Sequence, residues 1–116
     1  VYLELKRRVL AFGGDVETYA RGQGVLVFKA GYNFAQFFYQ SRKQVLHFEV
    51  RPEGFDIPEN QSAQVHGVTV TRVPDRHGWS LNHVFDIDGG ADLDAVTKLL
   101  RQSYDAVRRR GGRQEQ

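Results

Sequence analysis

The sequence predicts an α+β domain: a single antiparallel sheet of four or five strands, with N- and C-terminal helices packed on one face. Three observations predict it. Apolar residues recur at helical spacing near both ends of the chain and at alternating spacing between them. The strand-like runs in the middle are joined by connections too short for a crossover, which forces antiparallel neighbours. A length of 116 residues with 41% hydrophobic and 12% aromatic content suits one domain with its own core and argues against disorder.

The first element, Val1–Phe12, reads as an amphipathic helix. Tyr2, Leu5, Val9 and Phe12 form its apolar stripe, and Lys6, Arg7 and Arg8 lie on the other face. Gly13-Gly14 ends it. Asp15–Gly24 is a turn-rich connector with a short extended piece around Val16–Tyr19. Three strand runs follow: Val25–Lys29, then Phe34–Tyr39 after a Gly31-Tyr32-Asn33 hairpin, then Val45–Val50 after a polar turn at Gln40–Lys43. Arg51-Pro52 stops the third, because Pro has no donor for the ladder. Pro52–Gly67 reads as a long irregular loop. Val68–Val73 alternates and is a further strand, ended by Pro74. Asp75–Gly78 makes a turn, and His83–Ile87 is the last strand.

Gly89-Gly90 then opens the C-terminal helix, with Asp88 or Gly89 as its cap. Its stripe is Leu93, Val96, Leu99 or Leu100, Tyr104 and Val107. Asp92 and Asp94 in its first turn and Arg108–Arg110 in its last complement the helix dipole. Gly111-Gly112 is expected to end it, so the domain is read as residues 1–110 and 111–116 as a tail.

Composition excludes several functions. Without Cys there is no disulfide framework, thiolate zinc site or Cys nucleophile. No apolar run approaches the roughly 20 residues of a membrane helix, so no membrane partner and a cytoplasmic location are expected. The chain opens on Val1, which leads to the expectation of a piece of a longer polypeptide with a neighbouring domain as partner. No phosphate loop, dinucleotide fingerprint or G-x-S-x-G elbow occurs. The only [D/E]-x-K is Glu4-Leu5-Lys6, with no acidic partner upstream, so the domain is not expected to be a nuclease, and no catalytic residue is assigned.

Metal sites fare no better. Counted as a calcium loop from Asp86, position six is Ala91 in place of Gly and position twelve is Thr97 in place of Glu. His77 and His83 flank a bend that also holds Asp75, Trp79 and Asp86; a hairpin there would converge two imidazoles and a carboxylate. No i,i+4 His pair supports this, and surface or hydrogen-bonded histidines are expected, with no metal and no cofactor.

The meander, in contrast, is aromatic on both faces. Alternation directs Phe34 and Phe38 one way and Phe37 and Tyr39 the other. Leu46, Phe48 and Val50 form one row on the third strand, opposite Val45, His47, Glu49 and Arg51. With helices on one face, the other retains aromatics mixed with cations, the combination a nucleic-acid stacking platform requires. The candidate nucleic-acid or partner-binding residues are Lys29, Phe37, Tyr39, Arg42, Lys43, His47, Arg51 and Trp79. Three alternatives stand beside contact with nucleic acid. The Pro52–Gly67 loop, bearing Phe55 and Ile57, folds over the second face as a lid; a partner domain covers it; or a second copy does. Charge weighs against a phosphate grip, since Arg108–Gln116 holds four Arg and one Glu, leaving the body before it near neutral despite the net +2.

The assembled pattern resembles a family of short bacterial domains of unknown function catalogued as "predicted transport protein". The resemblance rests on Phe12-Gly13-Gly14-Asp15-Val16-Glu17, a strand beginning near Gly24-Val25, Asn33-Phe34-Ala35, Val50-Arg51-Pro52, and the helix Ala91–Tyr104 (A-D-L-D-A-V-x-x-L-L-R-Q-S-Y). The chain departs from the family between Val65 and His83, where V-T-V-T-R-V-P replaces a shorter Gly- and Trp-containing turn. Such domains are appended to nuclease- or restriction-type modules, so the resemblance implies an accessory role beside an effector, in mobile-element or phage defence.

The expectation is therefore a noncatalytic accessory domain of a larger bacterial protein that positions nucleic acid for a nuclease or restriction-type effector. The alternative is a protein-interaction or homodimerisation module using the apolar sheet face. A third reading, a small-molecule sensor or enzyme, requires two of His47, His77 and His83 to converge in a pocket.

Overall fold

The computed structural model describes residues 2–22, 24–51, 55, 57–74, 81–88 and 92–115. The elements run α1 (Tyr2–Leu10), β1 (Glu17–Ala20), β2 (Leu26–Ala30), β3 (Tyr32–Gln40), β4 (Val45–Val50), β5 (Ser62–Val65), β6 (Val68–Arg72), β7 (His83–Ile87) and α2 (Leu93–Glu115). The fold is α+β with one antiparallel sheet, but the sheet has seven strands, not four or five, in the order β1-β2-β3-β4-β7-β6-β5. The two additional strands are its edges. An edge strand buries little, so its sequence carries little hydrophobic signal. β1 (ETYA) is mostly exposed, and β5 (SAQV) lies inside the segment read as an irregular loop.

What makes β5 a strand is the turn after it. His66 and Gly67 both have positive φ, 51° and 82°, the conformation of a two-residue hairpin turn whose twist matches the strands it joins. Val65 and Val68 pair directly across it.

The sheet has a helix-side face and an outer face. Antiparallel register sets Leu26, Phe37, Phe48 and Phe85 in one row of the helix-side face, and Phe28, Ala35, Val50 and His83 in the next. The phenylalanines stack as a ladder across four strands: Phe28–Phe37 at 5.5 Å, Phe37–Phe48 at 4.9 Å and Phe48–Phe85 at 4.8 Å between ring centroids. Leu5 and Val9 of α1 and Val96, Leu99, Leu100, Tyr104 and Val107 of α2 complete this core.

Strict alternation fails at one point on β3. Lys29 pairs with Asn33 but Phe28 pairs with Ala35, so Phe34 is an extra residue, a β-bulge. The bulge resets the parity. Phe34 therefore joins Phe37 on the helix side, with its ring 5.4 Å from that of Tyr104, and does not share a face with Phe38 as alternation predicts. Ser103 of α2, fully buried, seals the bulge: its hydroxyl donates to the Phe34 carbonyl and accepts from the Arg51 N–H at 3.0 Å.

The Phe12–Glu17 segment and the second half of α2 meet at this corner. The Tyr104 hydroxyl donates to Asp15 at 2.8 Å, and Arg108 reaches the other Asp15 oxygen at 3.0 Å. The Tyr104 hydroxyl is the foremost cause that holds the Asp15 carboxyl below its usual range. Gly13 leaves the space this requires, since a Cβ there would collide with the Tyr104 hydroxyl and stand 2.7 Å from Asp15 Oδ1. These motif residues are packing devices that tie α2 to the chain after α1 and to the β3–β4 end of the sheet.

Two helix boundaries differ from expectation. The α2 cap is Asp92, whose carboxylate accepts from the Asp94 N–H at 2.9 Å and the Ala95 N–H at 3.4 Å, and not Asp88 or Gly89. The helix also runs through Gly111-Gly112 to Glu115. Helical glycine costs about 1 kcal/mol relative to Ala, which does not by itself end a helix. At the N-terminus, Glu4 bonds both Arg7 and Arg8, which hold its carboxyl down at about 2, and Arg8 continues to Asp94 at 2.8 Å, joining the two helices.

Phe55 and Ile57, which one of the three alternatives set in a lid over the outer face, lie on the helix side. Ile57 is buried in the helix-side core, Phe55 packs against it, and the Phe55 ring stacks on His83 at 5.6 Å. Phe55 and Ile57 thus add to the helix-side core beside β6 and β7.

Candidate functional site

The outer face carries a polar chain that crosses three strands. Gln36 of β3 and Glu49 of β4 are register partners, as are His47 of β4 and Asp86 of β7. Residues 47 and 49 share a face because side chains alternate along a strand. The Gln36 amide donates to Glu49 Oε1 at 2.6 Å; Glu49 Oε2 lies 3.1 Å from His47 Nε2; His47 Nδ1 lies 2.7 Å from Asp86 Oδ1. The imidazole is clamped at both nitrogens by carboxylates.

This geometry favours the protonated ring. A neutral imidazole has only one N–H and would present a lone pair to one of the two carboxylates. The hydrogen bond to Glu49, followed by that to Asp86, raises the His47 pKa above 6.5, with partial burial opposing. When protonated, the ring donates to both carboxylates at once. Both nitrogens are committed, so this ring has no free lone pair to ligate a metal or to accept a proton. Among the described residues no group of three or more His, Cys, Asp or Glu is arranged to hold a metal ion.

Beside the clamp lies a cleft of about 310 Å³. Its floor is Phe38, His47, Glu49 and Val84, and its walls include Gln40, Pro74 and Leu81. The Phe38 and His47 rings are register partners with centroids 5.1 Å apart. Leu81 is buried although it lies outside the helix-side core. The chain flanking β6 and β7 thus lines the outer face, the place the sequence reading gave to the Pro52–Gly67 loop. The Oε1 atoms of Gln36 and Gln40 are buried without a hydrogen-bond partner among the described residues.

The eight sequence-predicted residues do not form one surface. His47 sits in the clamp. Phe37 is fully buried in the phenylalanine ladder on the helix side, because the β3–β4 register pairs it with Phe48 and gives Phe38 to His47, so its place among the free-face candidates is corrected. Lys29 reaches Glu17 at 3.5 Å and lies 5.9 Å from the centre of the Tyr19 ring. Arg51 is only 6% exposed: its Nε donates to the Asn33 carbonyl at 2.7 Å, and its guanidinium lies 5.6 Å from the Tyr32 ring centre. Tyr39, 58% exposed, lies near the end of β3, and Arg42 and Lys43 are exposed in the turn that follows. Trp79 lies outside the described residues, as do His77 and Asp75.

The convergence of histidines does not occur between the two that are described. His83 pairs with Val50 on the helix-side face, whereas His47 and Asp86 occupy the outer one. His83 is buried, with Nδ1 2.8 Å from the Asn82 side-chain oxygen. Sequence reasoning placed His47 and Glu49 in one row but missed Asp86 and Gln36. Their contribution depends on the β4–β7 and β3–β4 registers, and the first of these joins strands 39 residues apart at the clamp.

No helix of the described residues is long and apolar enough to cross a membrane. Compared with known proteins, the chain matches no family model, no curated sequence and no solved structure.

Proposed function

We propose that this is a noncatalytic binding domain whose ligand site is the outer-face cleft beside His47, serving as an accessory to an effector domain. The observation that carries this reading is the clamp. An imidazolium held between two carboxylates is a rigid positioning element, poorly suited to act as a general base. The accessory role follows from the family resemblance.

The character of the cleft favours a ligand group rich in hydrogen-bond donors, an ammonium or guanidinium. The buried Gln40 Oε1 is an acceptor with no donor among the described residues, and the Phe38 ring lines the same cleft, where it can face a cation. The test is a ¹H–¹⁵N NMR titration with N-acetylarginine amide and, separately, N-acetylglutamate. The reading expects shifts centred on Phe38, Gln40 and His47 with the arginine probe alone, weakened in Glu49→Gln. Equal shifts with both probes, or none, would remove it.

Contact with nucleic acid is the second reading, and it moves to the β3–β4 turn. Arg7, Arg8, Lys29, Arg101 and Arg108 are each paired with a carboxylate, whereas Arg42 and Lys43 make no ion pair among the described residues and follow the exposed Tyr39 in sequence. Binding to single-stranded DNA that weakens with salt and with Arg42→Glu/Lys43→Glu supports it. Undetectable binding at about 50 mM salt, where phosphate contacts are strong, sinks it.

A further inference from the structure

The two edges of the sheet are not guarded equally. Sheet edges expose unpaired backbone groups, and monomeric proteins blunt them with short strands, charge, proline or bulges; both edges here are four residues long, so charge and proline are what distinguish them. The β1 edge begins at Glu17, ion-paired to Lys29, and is followed by Arg21. Ser62–Val65 of β5 has no charge, no proline and regular pairing to β6.

The register identifies which β5 groups face outward. Residues flanking a two-residue hairpin turn form a hydrogen-bonded pair, and such pairs alternate along the ladder. Val65 and Ala63 therefore bond inward to β6, as does Gln61, whose carbonyl accepts from the Arg72 N–H at 2.9 Å. Ser62 and Gln64 direct their N–H and C=O groups away from the sheet, and no backbone hydrogen bond from another described residue reaches them. Their side chains lie on the outer face, bonded to Thr71 and Thr69. Ala63 and Val65 are half-buried at the margin of the helix-side core.

From this arrangement we infer that β5 pairs antiparallel with β5 of a second copy of this chain about a twofold axis. Only one register uses all four outward groups of each copy while keeping like faces together. It sets Ser62 opposite Gln64 of the second copy, with the two Ala63 residues facing each other on the axis. The pairing makes four backbone hydrogen bonds, continues the apolar margin of Ala63 and Val65 across the junction, and brings the Glu59 end of one edge toward the His66 turn of the other. The contact is self-complementary, as a twofold interface requires. A four-residue edge is a small interface, so the dimer is weak and concentration-dependent.

The chain contains no Cys, which makes a single-thiol test clean. Opposed residues of a non-hydrogen-bonded antiparallel pair have Cα atoms about 4.5 Å apart, within disulfide reach. Mild oxidation of Ala63→Cys should give a covalent dimer, whereas Ser41→Cys, exposed in the β3–β4 turn, should not. In sedimentation velocity the unmodified chain should shift from monomer to dimer by about 1 mM. The double variant Ser62→Glu/Gln64→Glu, which opposes like charges twice, should remain monomeric. Ser62→Lys/Gln64→Glu, which opposes unlike charges twice, should dimerise at lower concentration than the parent. A parent that stays monomeric and an Ala63→Cys that does not cross-link would overturn the inference. So would a dimer indifferent to both charge variants.

Discussion

Removing the Ser103 hydroxyl is the sharpest test of how this fold holds its corner. Ser103→Ala takes away the acceptor of the Arg51 N–H and the donor to the Phe34 carbonyl in one step. Ser103 and Phe34 are fully buried and Arg51 nearly so, so water does not readily replace the lost partner. A lost hydrogen bond that strands buried groups costs about 1–3 kcal/mol, and two stranded groups sharing one small cavity give an expected loss of roughly 2–4 kcal/mol. That is a large part of the roughly 5–15 kcal/mol by which a domain of this size is stable, and it lowers Tm by about 10 °C. Urea denaturation followed by far-UV circular dichroism should show a lower midpoint at unchanged slope. Hydrogen exchange should show selective loss of protection at the Arg51 amide. A loss below about 0.5 kcal/mol, the level of an ordinary surface substitution such as Ser41→Ala, would refute the assignment of Ser103 as the seal of the bulge.

Three further outcomes follow from the same structure. Gly13→Ala should destabilise by about 1–3 kcal/mol, because its Cβ forces Tyr104 off Asp15; tyrosine fluorescence during unfolding and a crystal structure of the variant check it. Phe48→Ala removes the ring that stacks on both Phe37 and Phe85, and should cost about 3–5 kcal/mol in chemical denaturation. For His47, the folded-state pKa lies above the unfolded value of 6.5, so the clamp's contribution is complete below that value and fades as pH rises through the folded pKa. The stability difference between the parent and His47→Gln should therefore be largest at acidic pH and shrink as the solution becomes alkaline; a gap that widens with pH would contradict the clamp.

The parts of the fold that bury apolar surface were legible in the sequence, and the parts that do not were hidden. The stripes of α1 and α2 and the Leu46-Phe48-Val50 row place themselves by period alone. β1 and β5 are edges with little to bury, so Glu17–Ala20 was visible only as a short extended piece around Val16–Tyr19, and Ser62–Val65 was read as loop. The bulge at Phe34 shows a second limit. One extra residue reverses which face each side chain takes, and nothing local in Asn33-Phe34-Ala35 announces it; the cause is the fit to β2 and to Ser103, 69 residues away. Phe37 takes the helix side for a different reason, the β3–β4 register that pairs it with Phe48. His47 and Glu49, two apart on one strand, were visible as a pair. Asp86, which completes the clamp, becomes visible only once β7 is known to lie beside β4, and the short meander connections carry no information on that pairing.

The central claim is that His47 is a doubly bonded imidazolium serving binding, not proton transfer. The direct measurement is a long-range ¹H–¹⁵N NMR titration of the imidazole ring. The account predicts that both nitrogens are protonated, with a midpoint above 6.5 that falls toward the free-imidazole value in Glu49→Gln and in Asp86→Asn. A ring that is neutral at pH 6.5 with one fixed tautomer, or a midpoint unmoved by either substitution, would contradict it.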